Sequence, residues 1–354
     1  MKGIVFAGNR TIELRDFPDP TPGDEDVVLE IKASGMCGSD LHLYRSPGGG
    51  PAAAASLGVG GKGGGAVVAG HEPCGVVVAR GKAVTDRQAR IGARVMQHHY
   101  HGCGDCPDCR GGWSQMCELP GKVVYGVTGH GGHARWMLAP AHTLVPLPEA
   151  MSFEVGAAVS CGTGTAWGAL QRLATEGGRT LAVFGQGPVG LSATMLGAAM
   201  GLRVIGVDIA DERLALSRAC GATDTVNSSA GDAIAALKDL TKGRGVDYAI
   251  ETSSAPAARA ASVRATRTWG RVCYVGEGGS VTLDVSPDLL RKQITLLGSW
   301  TFSKTGQADC ARFIAEHGVP VDKLITHRFK VEEGEAAYQL FDQQKMGKGM
   351  IVPG

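Results

Sequence analysis

The stretch TLAVFGQGPVGLSATMLGAAMGLRVIGVD, residues 180–208, opens as an apolar strand and turns through Gly185-Gln186-Gly187-Pro188-Val189-Gly190. It then runs as an apolar helix to about Met200, and a second apolar strand ends at Asp208. This is G-x-G-x-x-G between a strand and a helix, with an acidic residue about twenty positions on, the pattern of a dinucleotide-binding turn. Gly185 permits the tight turn, Gly187 lets the backbone approach a pyrophosphate, and Gly190 lets helix and strand pack closely. Pro188 and Val189 complete the turn and are counted with the cofactor-binding residues, and the N-terminus of the helix that follows favours the negative phosphates. A carboxylate at Asp208 can accept hydrogen bonds from both adenosine ribose hydroxyls and would repel a 2′-phosphate, which favours NAD over NADP. Arg203 and Arg213 are the nearby cations that could reach such a phosphate, and Arg213 is counted with the cofactor-binding residues.

The alternation continues outward from this unit. DERLALSRACGA reads as helix, GVDYAIETS as strand, AARAASVRAT as helix, and GRVCYVG and ITLLGSW as strands. Together they predict a doubly wound parallel sheet. Residues 1–150 have a different style, with short strands, many turns and few helices, so two domains are expected.

Bulk properties exclude several classes. The chain has 354 residues, 44% hydrophobic and 19% charged, with net charge +1. Nothing in that balance asks for nucleic acid or an anionic membrane. The N-terminus MKGIVFAGNRTIEL reads as a strand and turn instead of a signal peptide. No apolar run reaches the roughly 18 residues of a membrane span. The expected location is the cytoplasm, where stable disulfides are rare and cysteine clusters more often bind metal or catalyse. Glycine is abundant, 54 residues, and much of it lies in SPGGGPAAAASLGVGGKGGGAVVAG, residues 46–70, which reads as a mobile surface loop.

HGCGDCPDCRGGWSQMC, residues 101–117, holds Cys103, Cys106, Cys109 and Cys117 in the spacing C-x2-C-x2-C-x7-C. Zinc accepts four thiolates in a tetrahedron, and such closed sites are structural. An iron–sulfur run starts similarly, but its last gap is shorter and proline follows its last cysteine. A disulfide knot is the third reading. Whichever holds, a closed four-thiolate site has no position for substrate, so the chemistry is expected elsewhere.

That place is assembled from three distant segments. GMCGSDLH, residues 35–42, offers Cys37, Ser39, Asp40 and His42; AGHEPCG, residues 69–75, offers His71 and Glu72; VSCGTGTAWGAL, residues 159–170, offers Cys161. A catalytic zinc takes three protein ligands and keeps a fourth position open, and two cysteines with one histidine is a known set. Cys37, His71 and Cys161 would supply it. Taken singly, Cys161 reads as a small buried residue and His71 as a hydrogen-bonded core histidine.

The order C-G-S-D-L-H, G-H-E, four-cysteine lobe, S-C-G-T-G-T, G-x-G-x-x-G with its downstream Asp, and late LITHRF (residues 324–329) resembles the zinc-dependent alcohol dehydrogenases of the medium-chain dehydrogenase/reductase superfamily. The resemblance covers nearly the whole chain. It implies an α/β architecture: a GroES-like, mainly-β catalytic domain from residues 1–151 and 299–354, and a Rossmann domain over 152–298, with the active site in the cleft between them. The structural zinc lobe would occupy about 98–120. Cys37, His71 and Cys161 fall on the catalytic zinc positions and Cys103, Cys106, Cys109 and Cys117 on the structural ones, so two zinc ions per subunit are implied beside NAD. Glu72 falls on the carboxylate behind the metal, Asp40 on the residue that orients the histidine ligand, Ser39 on the hydroxyl that takes the substrate proton, and His42 on the end of a relay to solvent. Such a relay would make alcohol oxidation rise with pH. Many polyol and threonine dehydrogenases of the superfamily carry Glu at the third zinc position; Cys161 stands closer to the alcohol dehydrogenases proper. Relatives often place a basic residue for the pyrophosphate roughly where Ile351 stands, and Lys348 is the nearest alternative.

The implied activity is reversible hydride transfer between an alcohol and NAD+, with secondary alcohols, polyols or sugar-like alcohols favoured. An NAD-binding sensor on the same fold has no need of an open metal site and a proton relay, and a zinc-free quinone reductase has no need of either cysteine set. The apolar segments SVTLDVS and ITLLGSW end the Rossmann sheet. An apolar sheet edge is normally paired or covered, so a homodimer or homotetramer is expected. The other partner is a small alcohol or carbonyl substrate.

Overall fold

The computed structural model describes residues 1–49, 65–343 and 347–354, and the chain separates into two compact units. The Gly/Ala-rich stretch at 46–66 lies mostly outside the described residues, and with it the expectation of a mobile loop.

One unit comprises Gly162–Phe302 and Glu316–Leu324. Its six-stranded sheet runs in the order Asp224–Asn227, Arg203–Asp208, Thr180–Phe184, Val246–Glu251, Thr266–Tyr274, Thr295–Gly298, and every pairing is parallel. The central strands are covered on both faces, which is why they read as continuous apolar runs instead of alternating ones. Leu181, Ala182, Val183, Ile205, Ala249 and Ile250 are fully buried. The turn after Thr180–Phe184 behaves as its glycines require. Gly185 has φ +88°, a left-handed conformation that a side chain rarely adopts. A Cβ on Gly190 would lie 1.8 Å from the Gly185 carbonyl oxygen, so the helix Pro188–Ala199 can start this close only with glycine there.

The other unit comprises Met1–Cys161, Ser303–Ala315 and Ile325–Gly354. A seven-stranded, largely antiparallel sheet runs Ile325–Phe329, Lys348–Ile351, Asp26–Gly35, Glu72–Arg80, Arg94–Gln97, Leu144–Pro146, with Trp136–Pro140 also paired to Asp26–Gly35. The hairpin Lys2–Gly8 and Thr11–Asp16 turns through Asn9 (φ 51°) and Arg10 (φ 60°), the two positive dihedrals of a type I′ turn.

The division corrects the boundaries expected from the sequence. Residues 152–161 belong with the antiparallel unit, because the helix Phe153–Val159 packs on strands Asp26–Gly35 and Glu72–Arg80. Gly156 sits so close that a Cβ would reach within 2.6 Å of Cys74 Sγ. Residues 299–302 and 316–324 belong with the parallel unit, where Lys323 Nζ donates to the Ala219 carbonyl at 3.3 Å.

Buried histidines make the antiparallel unit acid-sensitive. Burial pushes His98 and His133 down from about 6.5 to about 4. Between those values the unfolded chain binds protons that the folded chain does not, so stability is full above pH 6.5 and is lost as pH falls toward 4. Each histidine contributes up to about 3 kcal/mol of that loss. Urea unfolding at pH 7 and pH 5 should show a smaller loss for His98→Gln than for the parent chain; equal losses would remove His98 from the account.

Candidate active site and metal centres

Strand Asp26–Gly35 ends beside the helix Gly38–Arg45, and this junction presents Cys37, Ser39, Asp40 and His42. The Asp40 carboxylate caps its own helix by accepting the Cys37 N–H at 2.9 Å. His71 and Glu72 arrive at the start of strand Glu72–Arg80, which pairs with Asp26–Gly35 through Glu72 and Gly35. Cys161 follows the helix Phe153–Val159. Three segments far apart in sequence therefore meet: ligand atoms of Cys37, His71, Glu72 and Cys161 all lie within 4.8 Å of one another.

The donor set fits zinc. Cys37 Sγ and Cys161 Sγ are 3.8 Å apart. A tetrahedral zinc with its usual Zn–S bonds of about 2.3 Å sets two sulfurs about 3.8 Å apart. The hydrogen bond between the thiols pulls Cys37 well below its usual range and pushes Cys161 well above it. A cation between them lets both ionise. On His71, burial opposes charge, but Asp40 outweighs it and raises the imidazole well above its usual value. Its Nδ1 faces Asp40 Oδ1 at 2.9 Å, and neither atom has another partner. That leaves His71 Nε2 on the side of Ser39, whose Oγ lies 3.3 Å from it and donates to Cys37 Sγ at 3.2 Å. His42 is exposed, three residues beyond Ser39 on the same helix, so the two share a face.

Glu72 is fully buried, and burial pushes its carboxyl up to about 8 against the pull of Lys348. Lys348 Nζ donates to Glu72 Oε1 at 2.7 Å and to the Met36 carbonyl at 3.1 Å. Lys348 is itself 1% exposed, so its ammonium is spent beside Glu72 and does not stand in for a pyrophosphate contact. Sequence reasoning missed this pair. It also missed His99, whose ring centroid lies 5.2 Å from that of His71 and whose Nδ1 meets the Ser160 carbonyl at 3.0 Å.

The four-cysteine lobe is a second cluster. All ten cysteines are free, which removes the disulfide reading. Cys103 Sγ and Cys109 Sγ are 3.9 Å apart, again a tetrahedral edge for zinc. Backbone N–H groups of Cys103, Cys106 and Cys109 point at Cys117, Cys103 and Cys106 sulfurs at 3.3–3.5 Å, the hydrogen bonds that thiolates want. Gly102 makes room, since a Cβ there would lie 2.5 Å from Cys109 Sγ.

In the parallel unit, Asp208 ends its strand and is 6% exposed. Its Oδ2 accepts the Gln186 N–H at 2.6 Å and its Oδ1 the N–H groups of Ile209 and Ala210 at 2.8 and 3.1 Å. The carboxylate is thus locked beside the glycine turn. Arg213 Nη1 stands 3.9 Å from it. Arg203, at the opposite end of the strand, is held by Asp224 at 2.8 Å and the Leu240 carbonyl, so it is not placed to answer a 2′-phosphate near Asp208. A Cβ on Gly187 would meet nothing within 4 Å, so the backbone there faces open space on the side a pyrophosphate would approach, and Pro188 and Val189 open the helix.

Comparison with known proteins agrees with this geometry. A family model described as alcohol dehydrogenase GroES-like domain matches residues 23–149, and one described as zinc-binding dehydrogenase matches 188–316. The uncharacterized zinc-type alcohol dehydrogenase-like protein YphC of Escherichia coli K12 is 39% identical over 99% of this chain and 98% of its own. Sorbitol dehydrogenase 1 of Saccharomyces cerevisiae is 33% identical over 95% of this chain and 92% of its own. The solved alcohol dehydrogenase TADH from Thermus sp. ATN1 superposes with a TM-score of 0.88 at 25% identity, covering all of both chains. With its two cysteine-bearing clusters, its parallel nucleotide sheet and these full-length relatives, the chain belongs to the zinc-dependent alcohol dehydrogenases of the medium-chain dehydrogenase/reductase superfamily.

Proposed function

We propose that the protein is an NAD-dependent, zinc-containing dehydrogenase that moves hydride reversibly between an alcohol and NAD+, giving a ketone or aldehyde. The observation that carries this reading is the convergence of Cys37, His71 and Cys161 with the Ser39 hydroxyl against them. Zinc held by those three residues supplies a Lewis acid for the substrate oxygen, and NAD supplies the hydride acceptor. Asp40 holds the His71 ring. Ser39 takes the hydroxyl proton, and His42, exposed on the same helix face, hands it to water. The alcohol loses a hydride and a proton, and NADH, a carbonyl product and a released proton result. Glu72 and Lys348 form a buried neutralised pair behind the ligands.

The sorbitol dehydrogenase relative supports a polyol or secondary-alcohol substrate. An NAD+-linked screen of primary and secondary alcohols, polyols, sugars and amino alcohols tests the reading. NADH formation is expected with members of the polyol or secondary-alcohol group, and none with any alcohol would overturn it. The cytoplasm is the proposed location; among the described residues no helix is long and apolar enough to cross a membrane.

NAD+ is the proposed cofactor because a locked carboxylate at Asp208 would oppose a 2′-phosphate. Asp208→Ala should narrow the NAD+/NADP+ ratio of kcat/KM by about tenfold or more, the scale of one lost charge contact. Adding Arg213→Ala to Asp208→Ala should return part of the preference for NAD+. A parent enzyme that uses both cofactors equally would refute the charge argument.

Two copies, or four, are proposed to assemble through the edge strand Thr295–Gly298, where Leu296 and nearby Trp300 are 37% and 38% exposed. Sedimentation at micromolar concentration should show a dimer or tetramer; a 36.6 kDa species alone would contradict it.

A further inference from the structure

We propose that Tyr338, held in turn by His133, is a positioning residue for the zinc ligand His71, acting through Asp40. The proposal rests on the reading of Cys37, His71 and Cys161 as a catalytic zinc site.

The observation is a continuous buried chain. Ser34 Oγ lies 2.8 Å from His133 Nδ1, His133 Nε2 lies 2.7 Å from the Tyr338 hydroxyl, and that hydroxyl donates to Asp40 Oδ2 at 3.0 Å. Asp40 Oδ1 then faces His71 Nδ1 at 2.9 Å. Ser34, Asp40, His133 and Tyr338 are all 0% exposed and His71 is 4% exposed. A buried polar chain of this length is costly unless each member is satisfied.

The direction of every bond follows from the donor and acceptor inventory. Tyr338 has one proton and gives it to Asp40, so its oxygen must accept from His133 Nε2–H. His133, kept neutral by burial, then has Nδ1 as an acceptor, and Ser34 must donate to it. On the far side, the carboxylate accepts the Cys37 N–H and the Tyr338 O–H on Oδ2, which leaves Oδ1 for His71 Nδ1–H. His71 is thereby fixed in the tautomer whose Nε2 lone pair is free for a metal. Outer partners of this kind orient a ligand ring and raise its basicity.

The fold holds both ends rigidly. The Tyr338 ring meets Phe6 edge-on with centroids 4.9 Å apart, and sits in a core with Tyr44 and Phe341. His133 lies against Gly70, the residue before His71; a Cβ there would come within 2.3 Å of His133 Nδ1. Tyr338 is 298 residues from Asp40 in sequence, so no local pattern announces the link.

Tyr338→Phe keeps the ring and removes only the hydroxyl. Zinc affinity of the full chain, measured by competition with a chromophoric chelator, should fall about 10- to 100-fold at the His71 site, the usual effect of losing an outer partner. The thiolate–metal absorption bands of the Co2+-loaded protein should shift, and the melting temperature should fall by only about 2–8 °C, the effect of leaving buried partners of one hydroxyl unpaired in a chain that still folds. His133→Leu should weaken binding less, and His133→Gln, which can still donate to Tyr338, should restore part of the difference. In the Tyr338→Phe background, His133→Leu should add little, as expected of two members of one chain. Parent-like affinity and unchanged Co2+ bands in Tyr338→Phe would overturn the proposal and leave the chain as core satisfaction only. Cys37→Ser separates the two claims: if it leaves metal content unchanged, the zinc-site reading itself has failed, whereas metal loss in Cys37→Ser with an unaffected Tyr338→Phe sinks only the role of Tyr338.

Discussion

Cys37→Ser is expected to lower the turnover number for alcohol oxidation by about a thousand-fold or more while leaving NADH binding intact. A Lewis acid at the substrate oxygen is worth several kcal/mol of barrier, and each 1.36 kcal/mol is a factor of ten. Cys37 gives one of the two thiols, 3.8 Å from Cys161, and serine is a poor substitute for a soft thiolate ligand. The dinucleotide turn lies in the other compact unit and is untouched by the change. The parent turnover number and the variant's, together with NADH fluorescence titrations of both, check this. A variant that keeps more than about a tenth of the parent turnover would contradict it.

Cys103→Ser should act on stability. The helix Pro107–Arg110 buries none of its residues, and Cys103, Asp105, Pro107 and Asp108 are exposed. Such a lobe has little apolar core to order it, so its order depends on its four sulfurs holding a common ion. Structural zinc supplies about 10 kcal/mol or more in small domains. Only part of that reaches the whole chain, because the sheet around it has its own core. Expected results are a melting temperature lower by about 10 °C and rapid tryptic cleavage at the exposed Arg110, with the Cys37 site still metal-loaded. Equal melting temperatures and equal resistance to trypsin would show that the lobe is ordered without metal.

The parallel unit was legible because its signals are local. The turn Gly185–Gly190 carries its geometry in three glycines, and the strands Thr180–Phe184 and Arg203–Asp208 are apolar because both faces are covered. The strand Asp224–Asn227 and the helix Ala233–Leu240 escaped notice; DTVN is short and half polar, as an edge strand can be. The metal ligands were legible as residue types, each in a small motif, and the resemblance supplied their grouping. What could not be read is what tertiary pairing alone creates. Lys348 meets Glu72 across 276 residues, and Tyr338 meets Asp40 across 298. Domain edges were misplaced for a related reason: Phe153–Val159 looks like any apolar helix until its packing on Asp26–Gly35 and Glu72–Arg80 is seen.

The central claim is that Cys37, His71 and Cys161 hold a zinc ion distinct from that of the four-cysteine lobe. Zinc per chain, measured by atomic emission on gel-filtered parent protein and on Cys37→Ser side by side, tests it most directly. About two ions are expected in the parent and one in the variant, as two separate ligand sets require. One ion in both would contradict it.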